Sequence, residues 1–281
     1  NFRPRKYYSY NPYNLSETGT AEKRYYNNFD YSLDNRVNFV RSFGRHTIDA
    51  TFATGIEKMT YDYTSAFSGN FAMQGLDWNR LQDGSIEQQK TTTSAWQESS
   101  TFQMARVLYN FDDRYLITGT VRRDGFSGFG ENNKFGIFPS IAFAWRFTEE
   151  DFLKGLGWLN DGKLRISYGE NGNRTLQRYQ TLASMTSGYT YTFGGTSAMS
   201  QTTSTLANPD LKWETTTSLN IGLDFAVLNS RISGALDYYI SNTTDMLYQV
   251  QLPVLGGITS TFTNLGKIAN RGLEISLNTV N

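Results

Sequence analysis

The sequence predicts an all-β chain, a transmembrane antiparallel β-barrel, and three observations predict it. Apolar and polar residues alternate with period two over segments longer than soluble strands need. Those segments begin or end in aromatic residues, as bilayer-crossing strands do. Short and long connections alternate between them, the asymmetry of outer-membrane barrels.

Taken in order, Asn1 to Arg24 is rich in Tyr, Asn and Pro without a sustained period and reads as a loop. From Asn27 a strand sets Phe29, Tyr31, Leu33, Val37 and Phe39 on one face against Asp30, Ser32, Asp34, Arg36 and Asn38. A tight Gly44-Arg45 turn leads into its partner, with Ile48, Ala50, Phe52 and Ile56 against Thr47, Asp49, Thr51 and Glu57. Residues 61–100 read as a long polar loop, too long for an ordinary connection in a compact domain.

A hairpin follows, with Ala105, Val107, Tyr109 and Phe111 facing the way of Tyr115, Ile117, Gly119 and Val121 across Asp112, Asp113 and Arg114. The next strand turns Phe135, Ile137, Ile141, Phe143, Trp145 and Phe147 outward and Gly136, Ser140, Ala142, Ala144 and Arg146 inward. Thr148 and Asp151 fit a variant capping box for a brief helix through Leu153. Leu164, Ile166 and Tyr168 mark another outward face, and a second long loop spans about 171–211. The pattern then returns in Thr217 to Phe225, in Ile232 to Tyr238 and, after a loop with Pro253, Gly256 and Gly257, in Leu273 to Leu277. The total is about nine strands. Phe43, Tyr109, Phe111, Tyr115, Trp145, Phe147 and Phe225 collect at one rim, and Phe29, Tyr31, Phe135, Tyr168 and Tyr238 at the other.

Composition agrees with a half-wet sheet. Hydrophobic residues make up 38% and aromatics 15% of 281 residues, a balance in which a polar lumen replaces the second apolar face. The 26 basic and 26 acidic residues cancel and no Lys/Arg run occurs, which argues against a nucleic-acid partner. There is no cysteine, hence no disulfide, thiolate metal site or cysteine nucleophile. No run approaches the ~20 apolar residues of a membrane helix. The chain starts without Met and ends within a strand pattern, so it reads as a fragment of a larger polypeptide.

Two blocks carry a family resemblance. The strings RRDGFSGFGENNKFGIFPS, WRFTEEDFL and LRISYGENGN form one; NPDLKWETTTSLNIGLDFAVLNSRISGALDYY, TTDMLY and NLGKIANRGLEISL form the other. In this order they resemble the barrel of SusC/RagA-type TonB-dependent outer-membrane transporters. Where that family usually has a small polar and a basic residue after the RRDG string, this chain has Phe126 and Gly128.

The resemblance implies that residues 1–281 are part of one receptor barrel domain of about 22 strands, with the plug and remaining strands absent from this span. It also implies the bacterial cell outer membrane, energy from TonB, a SusD-like surface lipoprotein as lid, and an oligosaccharide or peptide ligand. Dimers of transporter-lid pairs fit the same family pattern. Capture between lid and barrel, plug rearrangement under TonB and release into the periplasm make and break no bond, so no enzyme and no cofactor is expected. Two alternatives share the strand signals: a passive porin or structural surface barrel, and a soluble all-β glycan-binding or glycan-cleaving protein, whose apolar strand faces would be buried on each other.

The residues that elsewhere carry chemistry read blandly here. The single histidine, His46, opens a strand beside a turn with no nucleophile motif near it. Asp112-Asp113 and Glu149, Glu150 and Asp151 fall in connections where solvent keeps both members ionised, unlike a glycosidase pair. The glycines of GFSGFG and GGTS precede no GK[ST] and mark loop tips. No metal site is read. Asp34, Arg36, Asp49, Glu57, Arg165 and Asp224 alternate with the outward residues; facing lipid, a basic one would cost ~2–4 kcal/mol, so all should face a wet interior. Trp78, Trp96, Tyr189 and Tyr191 lie in the two long polar segments and are the candidate ligand contacts, because sugar rings and peptide side chains pack on aromatic faces. Each can equally pack a loop onto itself.

Overall fold

The computed structural model describes residues 5–9, 19–71, 79–174, 178–253, 258 and 260–280. The strands are β1 (Arg5–Ser9), β2 (Thr20–Phe43), β3 (His46–Gly69), β4 (Lys90–Phe111), β5 (Tyr115–Phe126), β6 (Phe135–Trp145) and β7 (Leu159–Asn173). They continue as β8 (Ser184–Phe193), β9 (Thr196–Thr205), β10 (Glu214–Val227), β11 (Ile232–Thr244), β12 (Leu247–Gln251), β13 (Ser260–Asn264) and β14 (Lys267–Thr279). Ten of these form one sheet in the order β1-β2-β3-β4-β5-β6-β7-β10-β11-β14. Its nine longer members are the nine expected strands, and the short β1, read as loop, pairs with β2 from Arg5↔Arg24 to Ser9↔Thr20.

Register keeps the faces separate. Ile221 stands between Ile166 and Tyr238, and Leu223 between Leu164 and Leu236. Since side chains alternate along a strand, a one-residue slip would turn every one of these apolar groups to the other face. Phe29, Leu33, Val37, Phe39, Ile137, Ile141, Leu273, Ile275 and Leu277 are all exposed. A soluble sandwich would bury such faces against a second layer; here they stand uncovered.

The turns after β2, β4 and β10 are short as expected, whereas the β6–β7 connection, residues 146–158, is longer than the β5–β6 one, residues 127–134. The β4–β5 turn closes when the Arg114 N–H donates to the Phe111 carbonyl at 3.0 Å, with Asp112 and Asp113 at φ 56 and 54. This is the hairpin geometry whose left-handed residues Asp tolerates better than most. Between β6 and β7 the expected capped helix is replaced by a 3-10 turn, Phe147–Glu149, with no side-chain cap. The Thr148 hydroxyl is drawn away to β7, where it donates to the Gly162 carbonyl at 3.3 Å and accepts from its N–H at 3.2 Å.

Three more expected loops contain strands. Within residues 61–100, β3 runs on to Gly69 and β4 starts at Lys90. A second, four-stranded sheet in the order β12-β13-β9-β8 is built from chain between the barrel strands. The chain divides into two compact units, one of residues 1–33 with 57–99 and the other of residues 34–56 with 100–281. In the first, the Tyr26 and Tyr63 ring centroids are 4.9 Å apart and Tyr61 stacks on Trp96. The second holds the buried cluster Phe126, Phe129, Phe138, Leu211 and Trp213.

Candidate functional site

Alternation turns the even positions of β5, β6 and β10 and the odd positions of β7 away from the apolar band. In the second unit part of this inner wall carries small polar groups: Thr118, Ser140, Ser167, Asn171, Ser218 and Asn220, with Ala142 and Gly169 among them, line a shallow concavity of about 240 Å³. Beside it hydroxyls bridge strands, Thr216 to Thr243 at 2.8 Å and Ser218 to Ser241 at 3.1 Å. Such a wall stays hydrated and presents donors and acceptors without net charge.

Three charges on this wall form a cluster. Arg165 on β7 holds Asp224 on β10 through two N–H donors at 2.8 and 2.7 Å, and its Nη2 is 3.1 Å from Asp237 on β11. To reach a second strand away, the guanidinium crosses Gly222. A Cβ there would lie 2.4 Å from the Asp237 carboxylate and 2.7 Å from Arg165 Nη2. The expected inward placing of Arg165 and Asp224 is therefore observed. Asp237 is a partner that alternation alone does not reveal, because it lies straight across Gly222 from Arg165, two strands away and distant in sequence.

Above the wall, the two resemblance blocks meet. The Asn208-Pro209-Asp210 corner is held by the Asp210 N–H on Asn208 Oδ1 at 3.1 Å, a turn typical of these residues. Asn133 donates to the Asp210 carbonyl at 2.9 Å, and the Gly130 N–H to the Leu211 carbonyl at 3.2 Å. Gly130 is required, since a Cβ would come within 1.9 Å of the Pro209 carbonyl oxygen. Beneath lie Phe129 and Leu211, 1% and 0% exposed, with Phe129 packed 4.5 Å from Trp213. Phe126, where this chain departs from the family pattern, is buried here beneath the Arg174 guanidinium, 4.4 Å from its ring. Leu247 and Phe262 pack on the cluster from the second sheet, and Lys212 pairs with Asp245 at 2.8 Å. None of this long-range convergence is visible in local periodicity, although the aromatic spacing in GFSGF is its one local sign.

Of the four candidate aromatics, the side chains of Trp96 and Tyr191 are described. Trp96 stands on β4 with its ring stacked on Tyr61 at 5.4 Å. Tyr191 on β8 is 55% exposed opposite Ala198. The backbone of Tyr189 pairs with Ser200; its side chain, and all of Trp78, lie outside the described residues. His46 sits in the aromatic rim, stacked on Phe43 at 5.3 Å and hydrogen-bonded through Nδ1 to the Tyr109 hydroxyl at 2.6 Å. At the same end, Glu150 accepts from the Tyr115 hydroxyl and the Trp145 indole and faces Arg114, an arrangement that holds its carboxyl below the usual range. Among the described residues no group of three or more His, Cys, Asp or Glu could hold a metal ion.

A family profile described as "TonB dependent receptor-like, beta-barrel" matches residues 1–280. The chain belongs to that family. Within it, the kinship of this TonB-dependent receptor barrel is to the SusC/RagA type. It is 34% identical over 260 residues to TonB-dependent receptor SusC of Bacteroides thetaiotaomicron, covering 91% of this chain and 25% of that protein. Against TonB-dependent receptor P3 of Formosa agariphila the identity is 33% over 264 residues, covering 94% and 26%. A structure of the RagAB peptide transporter superposes with a TM-score of 0.83 at 29% identity, covering 98% of this chain and 30% of that one. The chain thus spans about a quarter of the length of the curated relatives it matches. These relatives are named as receptors and transporters, not enzymes. For a TonB-dependent receptor barrel the location is the bacterial outer membrane, with the uncovered apolar face toward lipid and the polar wall toward the interior.

Proposed function

We propose that this chain is the wall of a TonB-dependent importer that takes a large nutrient, an oligosaccharide or peptide, across the bacterial outer membrane. The observation that carries the proposal is the two-sidedness of the ten-stranded sheet. Its outer band is apolar and uncovered, while its inner wall carries, between β5 and β11, small polar groups and the paired charges of Arg165, Asp224 and Asp237, suited to a hydrated interior that passes hydrogen-bonding cargo.

In this reading residues 1–281 are part of one barrel domain, and the plug and the TonB-contacting segment belong to the remainder of a longer polypeptide. A SusD-like surface lipoprotein closes over the loops, and two transporter-lid pairs associate. Trp78, Trp96, Tyr189 and Tyr191 are ligand contacts, with Tyr191 the most openly presented of those described. No bond is made or broken in the cargo, so the protein acts as a transporter and not an enzyme.

Uptake of a fluorescent oligosaccharide or peptide by cells carrying the whole protein tests this. Uptake should cease when TonB is deleted, and a surface lipoprotein should co-purify from the detergent-solubilised envelope. Uptake that persists without TonB would instead establish a passive pore.

A further inference from the structure

The connection between β6 and β7 differs from the short turns: residues 146–158 do far more than reverse the chain. It begins on the outward face. The Phe147 ring lies over Gly162, where a Cβ would meet it at 2.2 Å, and stands edge-on to Trp145 at 5.9 Å. Glu150 accepts hydrogen bonds from Tyr115 and, at 3.1 Å, from the Trp145 indole, both members of the outward-facing rim. The segment therefore folds back over the outside of the strand ends.

Past Glu150 it is apolar and uncovered. Phe152 is 72%, Leu156 37% and Trp158 55% exposed. The Trp158 carbonyl accepts the Leu228 N–H at 2.8 Å, bringing the 53% exposed Leu228 of the next turn beside it. Part of its backbone is self-satisfied: the N–H groups of Leu153, Leu156 and Leu159 donate to Glu150, Leu153 and Leu156 at 2.9, 3.0 and 3.1 Å. Its charges are matched, with Lys154 on Asp151 at 2.9 Å and Arg114 on Glu150 at 3.4 Å. A segment with partly satisfied peptide groups, paired charges and bulky apolar side chains can lie in the headgroup boundary of a bilayer, where water meets the remaining peptide groups.

We propose that residues 147–158, with Leu228, form an interfacial anchor seated in the phospholipid leaflet on the periplasmic side, the side that the short turns of this end, after β2, β4 and β10, face in outer-membrane barrels. Continuity selects the occupant: the patch extends directly from the lipid-facing rim of Tyr115, Trp145 and Phe147. The proposal rests on the outer-membrane location and not on any transported substrate.

The test uses the whole protein, wild type and Trp158→Phe, in phosphatidylethanolamine/phosphatidylglycerol vesicles whose acyl chains are brominated near the headgroup. The emission lost in the variant is the Trp158 signal. That signal should be blue-shifted, strongly quenched by the brominated lipid and insensitive to iodide added on both sides. Quenching by iodide instead would show Trp158 in water and overturn the anchor. A signal insensitive to both quenchers would show a protein covering the patch and overturn it equally. A nitroxide on Phe152→Cys provides a second reading: collisions with oxygen should exceed those with a water-soluble nickel chelate, and the reverse order would refute lipid contact.

Discussion

At Gly222 a missing side chain determines where a charge goes. Arg165 spans two strands only because nothing projects from Gly222, so Gly222→Ala should push the guanidinium off Asp237 while its paired bonds to Asp224 survive. The pair is part-exposed, so the loss should be modest, about 1 kcal/mol or less, read as a small drop in the urea midpoint in micelles. Gly130→Ala is a harsher change, because its obstacle is the Pro209 carbonyl, a backbone atom that cannot swing aside. It should cost about 1–3 kcal/mol and open residues 127–134 and 206–213 to protease, which peptide mapping would detect. Glu150 carries a pH signature. Its carboxyl is lowered first by the Tyr115 hydrogen bond, then by Trp145 and the Arg114 charge. Its contribution is therefore complete above the unfolded carboxylate value of about 4.3 and fades as pH falls through the lower folded value. Subtracting the stability–pH curve of Glu150→Gln from that of wild type should leave a difference that is full at neutral pH and shrinks as pH falls below the unfolded carboxylate value of about 4.3; a difference constant with pH would show that the charge is not what Tyr115 and Trp145 recognise.

At the level of the element, neighbouring positions on one strand should answer oppositely to the same substitution. Ile221 and Asn220 are adjacent on β10, one between Ile166 and Tyr238 on the lipid side and the other lining the polar wall. Ile221→Arg should cost ~2–4 kcal/mol in bilayers and Asn220→Arg far less, measured as the folded fraction across a urea series. Phe129→Ala should remove about 3–5 kcal/mol from the cluster that unites the β5–β6 loop, the Asn208–Leu211 corner and the second sheet.

Period-two alternation makes the nine long strands legible, since each sets Val, Ile, Leu and aromatics against Ser, Thr, Asn and charge. It fails where both faces are polar. The start of β4, Lys90 to Ser94, and most of β9 are Ser/Thr-rich on both sides, so strands there look like loops. The helix expected at Thr148 fails for another reason: a hydroxyl able to cap is recruited by Gly162 instead.

For the whole molecule, class and location are readable because a bilayer imposes one rule on every strand, while the candidate site is not. Trp96 is packed on Tyr61 and Tyr191 stands open on an edge strand, a distinction that depends on which distant strand arrives beside each ring. The β14 strand adds a consequence for biogenesis. The strands that lead to it are joined rung by rung, β10 to β7 on one side and to β11 on the other, and β11 in turn to β14. In hydrocarbon each unpaired peptide group costs several kcal/mol, whereas in water it is solvated but adhesive. Zippering of these strands must therefore precede or accompany their entry into lipid, and a chain that stalls before then presents the periplasm with a template for fibrillar growth, a natural target for holdases and proteases.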